Sequence, residues 1–413
     1  MAIPTPGESR IRKLTVGGQD LTTYVREISV YESIFNPFKS AQILLIDSSN
    51  LTNRLKLEGN EDVEIVFDCG TGKVYEAKMK AMSMMNSTKA SSLRADGFML
   101  NAVSESFMKN MTSKAQKSFK NIQGSEAIEK IHKDLGIQSN LKVHTKSKGL
   151  IGESEPYLVS NMPPFDAIHG IRTRLTSDQY KTGAYSYYED ASQHNLIQIE
   201  QMFSNLSPQE NFTQRATMGS SFSDFGGQSR NIIGYHEKTS FSEGGKFNIA
   251  DVLNTRKDSK VSTYSSMEAK YNEGQVKQAK SGKAGGVNEV KNDNGSGNGN
   301  VRTSAIIPHD KRMEKNSIQA EKSAEEQRYI NDVKNGPACT IQVMLDSGIN
   351  CTVGKGVSAN IAAPIGDLQQ GGASGNMTGG NMLVVNLRHH IKNYDSKPRA
   401  TTIMELAKGG YNT

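Results

Sequence analysis

Ile28-Ser29-Val30-Tyr31-Glu32-Ser33, Gln42-Ile43-Leu44-Leu45-Ile46 and Val63-Glu64-Ile65-Val66-Phe67 decide how this chain is read. Ile28, Val30 and Glu32 alternate with Ser29, Tyr31 and Ser33, and Val63, Ile65 and Phe67 alternate with Glu64 and Val66. A period of two is that of a strand with one buried face. The middle stretch is a short apolar run ended by Asp47-Ser48-Ser49-Asn50, which are turn-forming residues. Cys69-Gly70-Thr71-Gly72 makes a further turn, and Val74 to Met79 returns from it, a hairpin signal. Phe98 and Leu100 close the set after a polar tip, Ser87 to Asp96. Short strands at this regular spacing over residues 10–106 predict a small antiparallel barrel.

Beyond that region the pattern changes. Ser125 to Leu135 keeps helical spacing, with Gly136 suited to the position just past the helix end. Asn161 precedes Pro163 and Pro164, after which Phe165, Ile168, Ile171 and Leu175 form one apolar helix face. Ala184 to Tyr188 and Asn195 to Ile199 then read as a hairpin across Asp190 to His194. Residues 107–215 are therefore expected to be an α+β unit. Short strands are expected near Ile232-Ile233 and Phe247-Asn248-Ile249. Residues 256–335 are polar and low in complexity, and Asn292 to Asn300 cannot pack a core. Glu314 to Asn331 allows one polar helix with a thin apolar face. From 338 onward the pattern is β again: Thr340 to Leu345, then Leu383, Val385, Leu387, His389 and Ile391 on one strand face, and Thr401 to Leu406. Gly371 to Gly380 is a second Gly-rich segment.

The two β regions share a plan. A strand follows a Gly-containing turn (Gly59 to Phe67; Gly356 to Ala362), a long strand comes next (Val74 to Met84; Met382 to Lys392), and a closing strand ends each set (Arg94 to Leu100; Arg399 to Leu406). Such a duplication matters because homo-oligomers close with point symmetry. A trimer with two like barrels per chain presents six similar units and so can join a sixfold object to a threefold one.

Composition narrows the function. Of 413 residues, 35% are hydrophobic, against roughly 45–50% in average soluble domains; either part of the chain is unstructured or subunits complete each other's cores. Net charge is +6, from 49 basic and 43 acidic residues spread along the chain, which is no nucleic-acid stripe. Cys69, Cys339 and Cys351 make neither a disulfide framework nor a zinc knuckle, and are expected to be reduced thiols. Met1 to Lys13 lacks the apolar core of a secretory signal, and no apolar run reaches the roughly 18 residues that span a bilayer.

A search for chemistry returns nothing organised. Gly295-Ser296-Gly297-Asn298-Gly299 follows no strand and opens no helix, and Gly282-Lys283-Ala284 lacks the rest of a phosphate loop. His389 and His390 are neighbours on a strand and point to opposite faces, so they are poor joint metal ligands. Gly219-Ser220-Ser221 is no nucleophile elbow, Glu189-Asp190 is expected to be a solvated turn, and Glu153 with Glu155 has no supporting groups. No catalytic, cofactor-binding or metal-binding residues are assigned, and no cofactor is expected.

Tyr31-Glu32-Ser33-Ile34-Phe35-Asn36, Ala41 to Leu51 and Leu57-Glu58-Gly59-Asn60-Glu61-Asp62-Val63-Glu64-Ile65 together resemble the opening of the central baseplate hub proteins of T-even and related contractile-tailed phages. Pro164 to Ile168 with Ala184 to Asp190 is similar to that family's helix and aromatic hairpin, and Val385 to Ile391 with Thr401 to Leu406 to its closing strands. The resemblance covers roughly 20–215 and 338–408; the polar stretch 256–335 departs from it. It implies an α+β, mainly β chain with two tube-like antiparallel barrels: 1–106, and 216–255 with 336–413. An α+β domain (107–215) and a polar insertion, flexible or peripheral (256–335), lie between their parts. It implies a non-enzymatic homotrimer forming a pseudo-sixfold ring between tail tube and central spike. Hubs of type VI secretion and other contractile injection machines are related. The partners implied are the spike, a tube or tube-initiator protein, the tape measure protein and baseplate wedge proteins. DNA would pass only in transit through the lumen, and no membrane insertion is implied. The implied location is the virion tail baseplate, after assembly in the host cytoplasm. The alternatives are another tail adaptor or adhesin-type binding module, or a tail-associated cell-wall hydrolase.

Overall fold

The computed structural model describes residues 9–47, 57–69, 74–90, 95–137, 139–147, 150–153, 155–175, 184–204, 206–213, 230–238, 259–265, 270–276, 302–308, 338–344, 351–360, 380–393 and 399–407. The fold is mainly β, and most strand pairs are antiparallel. The first strands are β1 (Ser9–Val16), β2 (Gln19–Asp20), β3 (Val25–Ser33), β4 (Ser40–Asp47), β5 (Asp62–Cys69), β6 (Val74–Ala90) and β7 (Ala95–Val103), paired in the order β2-β1-β5-β6-β7-β4-β3. Gly17 and Gly18, both at positive φ (57° and 81°), turn β1 into β2 with Val16 opposite Gln19. Two-residue hairpin loops that match strand twist need such angles, and Gly takes them without strain. The alternating side chains Ile28, Val30, Val63, Ile65 and Phe67 all face one core, shared with Ile43, Leu45, Phe98 and Leu100. Burial of each such side chain is worth roughly 1.5–3 kcal/mol. The polar tip expected from Ser87 begins later than the sequence suggests. β6 continues to Ala90 because β7 pairs with it as far as Ala90↔Ala95.

The middle of the chain holds α1 (Glu105–Thr112), β8 (Ala115–Phe119), β9 (Ile122–Gln123), α2 (Gly124–Asp134), β10 (Leu141–Val143), β11 (Leu150–Ile151), β12 (Tyr157–Met162), α3 (Pro164–Arg172), the hairpin β13 (Tyr185–Glu189) with β14 (His194–Gln198), and α4 (Ile199–Ser204). Ile128 and Ile131 of α2, Phe165 and Ile168 of α3, and Tyr187 and Leu196 of the hairpin share a core. Gly136 follows α2 at φ 62°, as a helix end requires. α1 carried no apolar signal because the residues it buries are Ser106 and Asn110. Asn110 has a purpose there: its Oδ1 accepts from the Phe165 backbone N–H at 2.7 Å, capping α3 from 55 residues away. Asn161 makes no side-chain cap; it bends the chain before α3 at φ 48°.

The remaining strands are β15 (Pro208–Thr213), β16 (Arg230–Lys238), β17 (Ser259–Ser265), β18 (Lys270–Val276), β19 (Arg302–Pro308), β20 (Ala338–Met344), β21 (Gly356–Asn360), β22 (Gly380–Lys392) and β23 (Arg399–Ala407). β15 follows the α+β elements directly, yet pairs with β21 and β16. Pairings run β16-β20-β23-β22-β21-β15 and return to β16 through Phe212↔Arg230 and Thr213↔Asn231. Inside the polar stretch, β17, β18 and β19 form a three-stranded sheet, so that stretch carries regular structure which its lack of apolar alternation conceals. The readings at Phe247-Ile249, Asn292-Asn300, Glu314-Asn331 and residues 371–379 lie outside the described residues.

One face assignment needs correcting. Leu383 pairs with Ala407 but Leu387 with Met404, because a bulge between Val384 and Asn386 shifts the register. An odd step between partners reverses the face, so Leu383 lies opposite Leu387, His389 and Ile391.

The two strand sets repeat each other over five strands. β3, β4, β5, β6 and β7 occupy the places that β16, β20, β21, β22 and β23 occupy in the second set. Val25↔Leu45 and Glu27↔Leu44 flank a bulge in β3, as Ile232↔Val343 and Gly234↔Gln342 do in β16. Ala81↔Ala102 and Ser83↔Asn101 flank a bulge in β6, as Val384↔Leu406 and Asn386↔Glu405 do in β22. Two differences remain: β2 has no counterpart in the second set, and β1 runs antiparallel to β5 whereas β15 runs parallel to β21.

Candidate functional site

Long strands make the site. β22 has 13 residues. Gly380 to Leu383 pairs with β21, and Asn386 to Lys392 then runs beyond β21 and pairs with β3, from Asn386↔Ser33 to Lys392↔Glu27. This overhang welds the two repeats into one 13-stranded sheet. The cores interlock across it: Ile391 and Ala400 pack into the first, Ile34 into the second.

A polar clasp fastens the seam. Arg388 Nη2 donates to Ser29 Oγ at 2.9 Å and to His390 Nδ1 at 3.0 Å, lies 3.5 Å from Glu27 Oε1, and stacks its guanidinium 5.4 Å from the Tyr31 ring centre. Burial, and then the Arg388 charge, lowers His390 to about 4, so at neutral pH its ring is uncharged and accepts that bond. On the other face burial lowers His389 to about 3; its Nδ1 lies 3.0 Å from Thr402 Oγ1 and its ring meets the edge of Tyr75. Tyr75 Oη donates to Glu32 Oε1 at 3.3 Å. Burial raises Glu32 to about 7, opposed by the Lys39 charge, and its Oε2 finds no hydrogen-bond partner among the described residues. A recess of about 300 Å³ opens beside the seam, lined by Tyr31, Glu32, Asn386, Arg388 and Glu405 among others. Two of its polar groups are held by neighbours: Asn386 Nδ2 donates to Glu405 Oε2 at 2.6 Å, and Tyr31 Oη donates to Gln42 Oε1 at 3.0 Å.

Glu189 and Asp190 are buried, not a solvated turn. Glu189 lies 3.6 Å from Lys39 Nζ and accepts from Ser106 Oγ at 3.1 Å, tying the hairpin to α1 and to the residue just before β4. Asp190 Oδ1 accepts from the backbone N–H groups of Ser192 and Gln193, both at 2.8 Å, and so shapes the hairpin tip. Glu153 and Glu155 are exposed and apart from the seam. Cys339 and Cys351 are buried thiols, with Cys339 Sγ 3.6 Å from Met382 Sδ. Gly219-Ser221, Gly282-Ala284 and Gly295-Gly299 lie outside the described residues. Among the described residues no group of His, Cys, Asp and Glu is placed to hold a metal, and no helix is long and apolar enough to cross a membrane.

A second overhang, with no counterpart among the expected site residues, is formed by β6. β6 has 17 residues; β5 pairs with it only as far as Lys80, and β7 lines its other edge to Ala90. Met82 and Met84 are 49% and 38% exposed, while their counterparts in β22, Val385 and Leu387, are each 2% exposed. Met85 is 55% exposed, and Ile233, at the matching bulge of β16, is 42% exposed. The cluster Met82-Ser83-Met84-Met85 was the available signal.

No family model and no curated protein matches the chain. Among solved structures, a tail protein from Neisseria meningitidis MC58 aligns over 98% of this chain and 97% of its own, with 12% identity and a TM-score of 0.59. The 43 kDa tail protein of prophage MuSo2 from Shewanella oneidensis aligns over 97% of this chain and 98% of its own, with 10% identity and a TM-score of 0.57. In fold, and over nearly its whole length, this chain is therefore similar to tail proteins, the class to which the hub resemblance in its sequence points.

Proposed function

We propose that the chain is a non-enzymatic structural hub of a contractile phage tail baseplate, working as a homotrimer whose six repeats ring the tail axis between tube and central spike. The observation that carries this reading is the duplication: five strands recur in the same order, with both bulges at matching register positions. Two like units per chain give three chains sixfold character, which is what an adaptor between a sixfold tube and a threefold spike needs. The end-to-end fold likeness to tail proteins supports the same reading. Under it, each repeat is a tube-like barrel. The second, discontinuous over 216–255 and 336–413, gains β15 as the strand that closes its pairings. Residues 107–215, apart from β15, form an α+β domain, and 256–335 an insertion with its own small sheet. The lumen would pass the tape measure protein and then DNA, with wedge proteins outside, in a virion assembled in the host cytoplasm. Sedimentation of the purified chain, alone and with its cognate spike, tests this. A trimer in either mixture is expected; a monomer in both overturns it.

A further inference from the structure

We infer that the bare overhang of β6 is the seat for β16 of a second copy of this chain, in the register that β22 and β3 already show within one chain. The inference rests on the ring reading and adds to it the surfaces that join one copy to the next.

The intrachain seam is the template. β3 uses one edge for β4 and the other for the overhang of β22. Its counterpart β16 uses one edge for β20, and on the other is paired by β15 only at Arg230 and Asn231. Among the described residues no strand continues along that edge as far as Lys238, and none pairs with the β5-side edge of β6 beyond Ala81. Each repeat thus offers one overhang and one receiving edge. One overhang and one receiving edge meet inside the chain; the other two remain. An edge left open is a standing invitation to pair. The apolar exposure falls at these same places, at Met82, Met84 and Met85 on the overhang and at Ile233 on the receiving strand. The leftover contact is heterologous, so repeating it makes a ring if the rotation closes. Three copies would alternate internal and external seams of one kind.

The template also fixes the register. Arg388↔Tyr31 and His389↔Val30 in the internal seam translate to Met85↔Lys238 and Asn86↔Glu237 between copies.

The test is a cysteine pair in the full-length chain. Met85→Cys with Lys238→Cys should give, on mild oxidation, covalent dimers and trimers that neither single variant gives. Met85→Cys with Arg230→Cys, about 26 Å away along the strand at ~3.3 Å per residue, should not link. A second variant, Met82→Asp with Met84→Asp, changes side chains that the single chain leaves exposed. It should keep its circular dichroism and weaken assembly at least 100-fold, whereas Leu158→Asp, exposed elsewhere on β12, should leave assembly unchanged. Trimers that resist both the linking and the aspartates overturn the seam and leave the ring reading standing. A chain that stays monomeric with and without its spike overturns both.

Discussion

β22 and β6 are the same strand built twice, and their second halves meet opposite fates. Both carry a bulge at the same register step, and both run beyond the short strand that precedes them. The overhang of β22 is covered by β3 and holds Leu387 with Arg388, His389 and His390 in a packed, hydrogen-bonded seam. The overhang of β6 has no such cover among the described residues and presents methionines. Strand geometry therefore does not decide burial here; the neighbour does. Methionine, unbranched and adaptable, suits the proposed packing of this surface by a second copy.

Four measurements bear on this contrast. Leu387→Ala empties a buried position and should cost about 2–5 kcal/mol in urea unfolding; a cost under ~1 kcal/mol would mean the seam is loosely packed. Glu32→Gln comes next. Glu32 is raised from its usual 4.5 to about 7, so between those values the folded chain holds a proton that the unfolded chain has released. Stability from this group is then complete below pH 4.5 and lost as pH rises through 7, on the order of 3 kcal/mol in all. The Gln variant should lack that decline when unfolding is followed from pH 4.5 to 8. An unchanged profile would show that Glu32 is ionised in the fold. Arg388→Ala should cost about 1–2 kcal/mol by removing charge-assisted bonds to Ser29 and His390. Arg388→Lys should recover only part, since an ammonium lacks the planar fork and the stacking on Tyr31. Smallest of all, Met84→Ala in the dissociated chain should fall within ~0.5 kcal/mol of the parent. A loss comparable to that of Leu387→Ala would erase the difference between the two overhangs.

Much of this was legible because sheet cores write a period of two. Val63, Ile65 and Phe67 declared β5, and Thr340 to Leu345 declared β20, since one face of each is packed and the other is not. The hairpin of Tyr185–Glu189 with His194–Gln198 was equally clear. Elements without such a face were silent. α1 buries Ser106 and Asn110, β17 and β18 are largely polar strands, and β19 offers only the short run Ala305-Ile306-Ile307 without alternation. Glu189 looks like part of a wet turn because nothing local shows that Lys39 and Ser106 close over it. The bulge at Val385 was hidden for a related reason: a single extra residue shifts every later side chain without changing the composition.

By itself, the sequence determined that this is a strand-rich chain with an α+β middle and two similar β regions, because local alternation and turn chemistry fix strands wherever one face meets a core. Packing in three dimensions settles which long strand is roofed and which has no covering strand among the described residues, where the bulges reset the faces, and that Arg388, Ser29, Glu27 and His390 converge on one seam. The seam depends on pairings between residues more than 350 positions apart, such as Ser29 with His390, and no local pattern encodes a partner that distant.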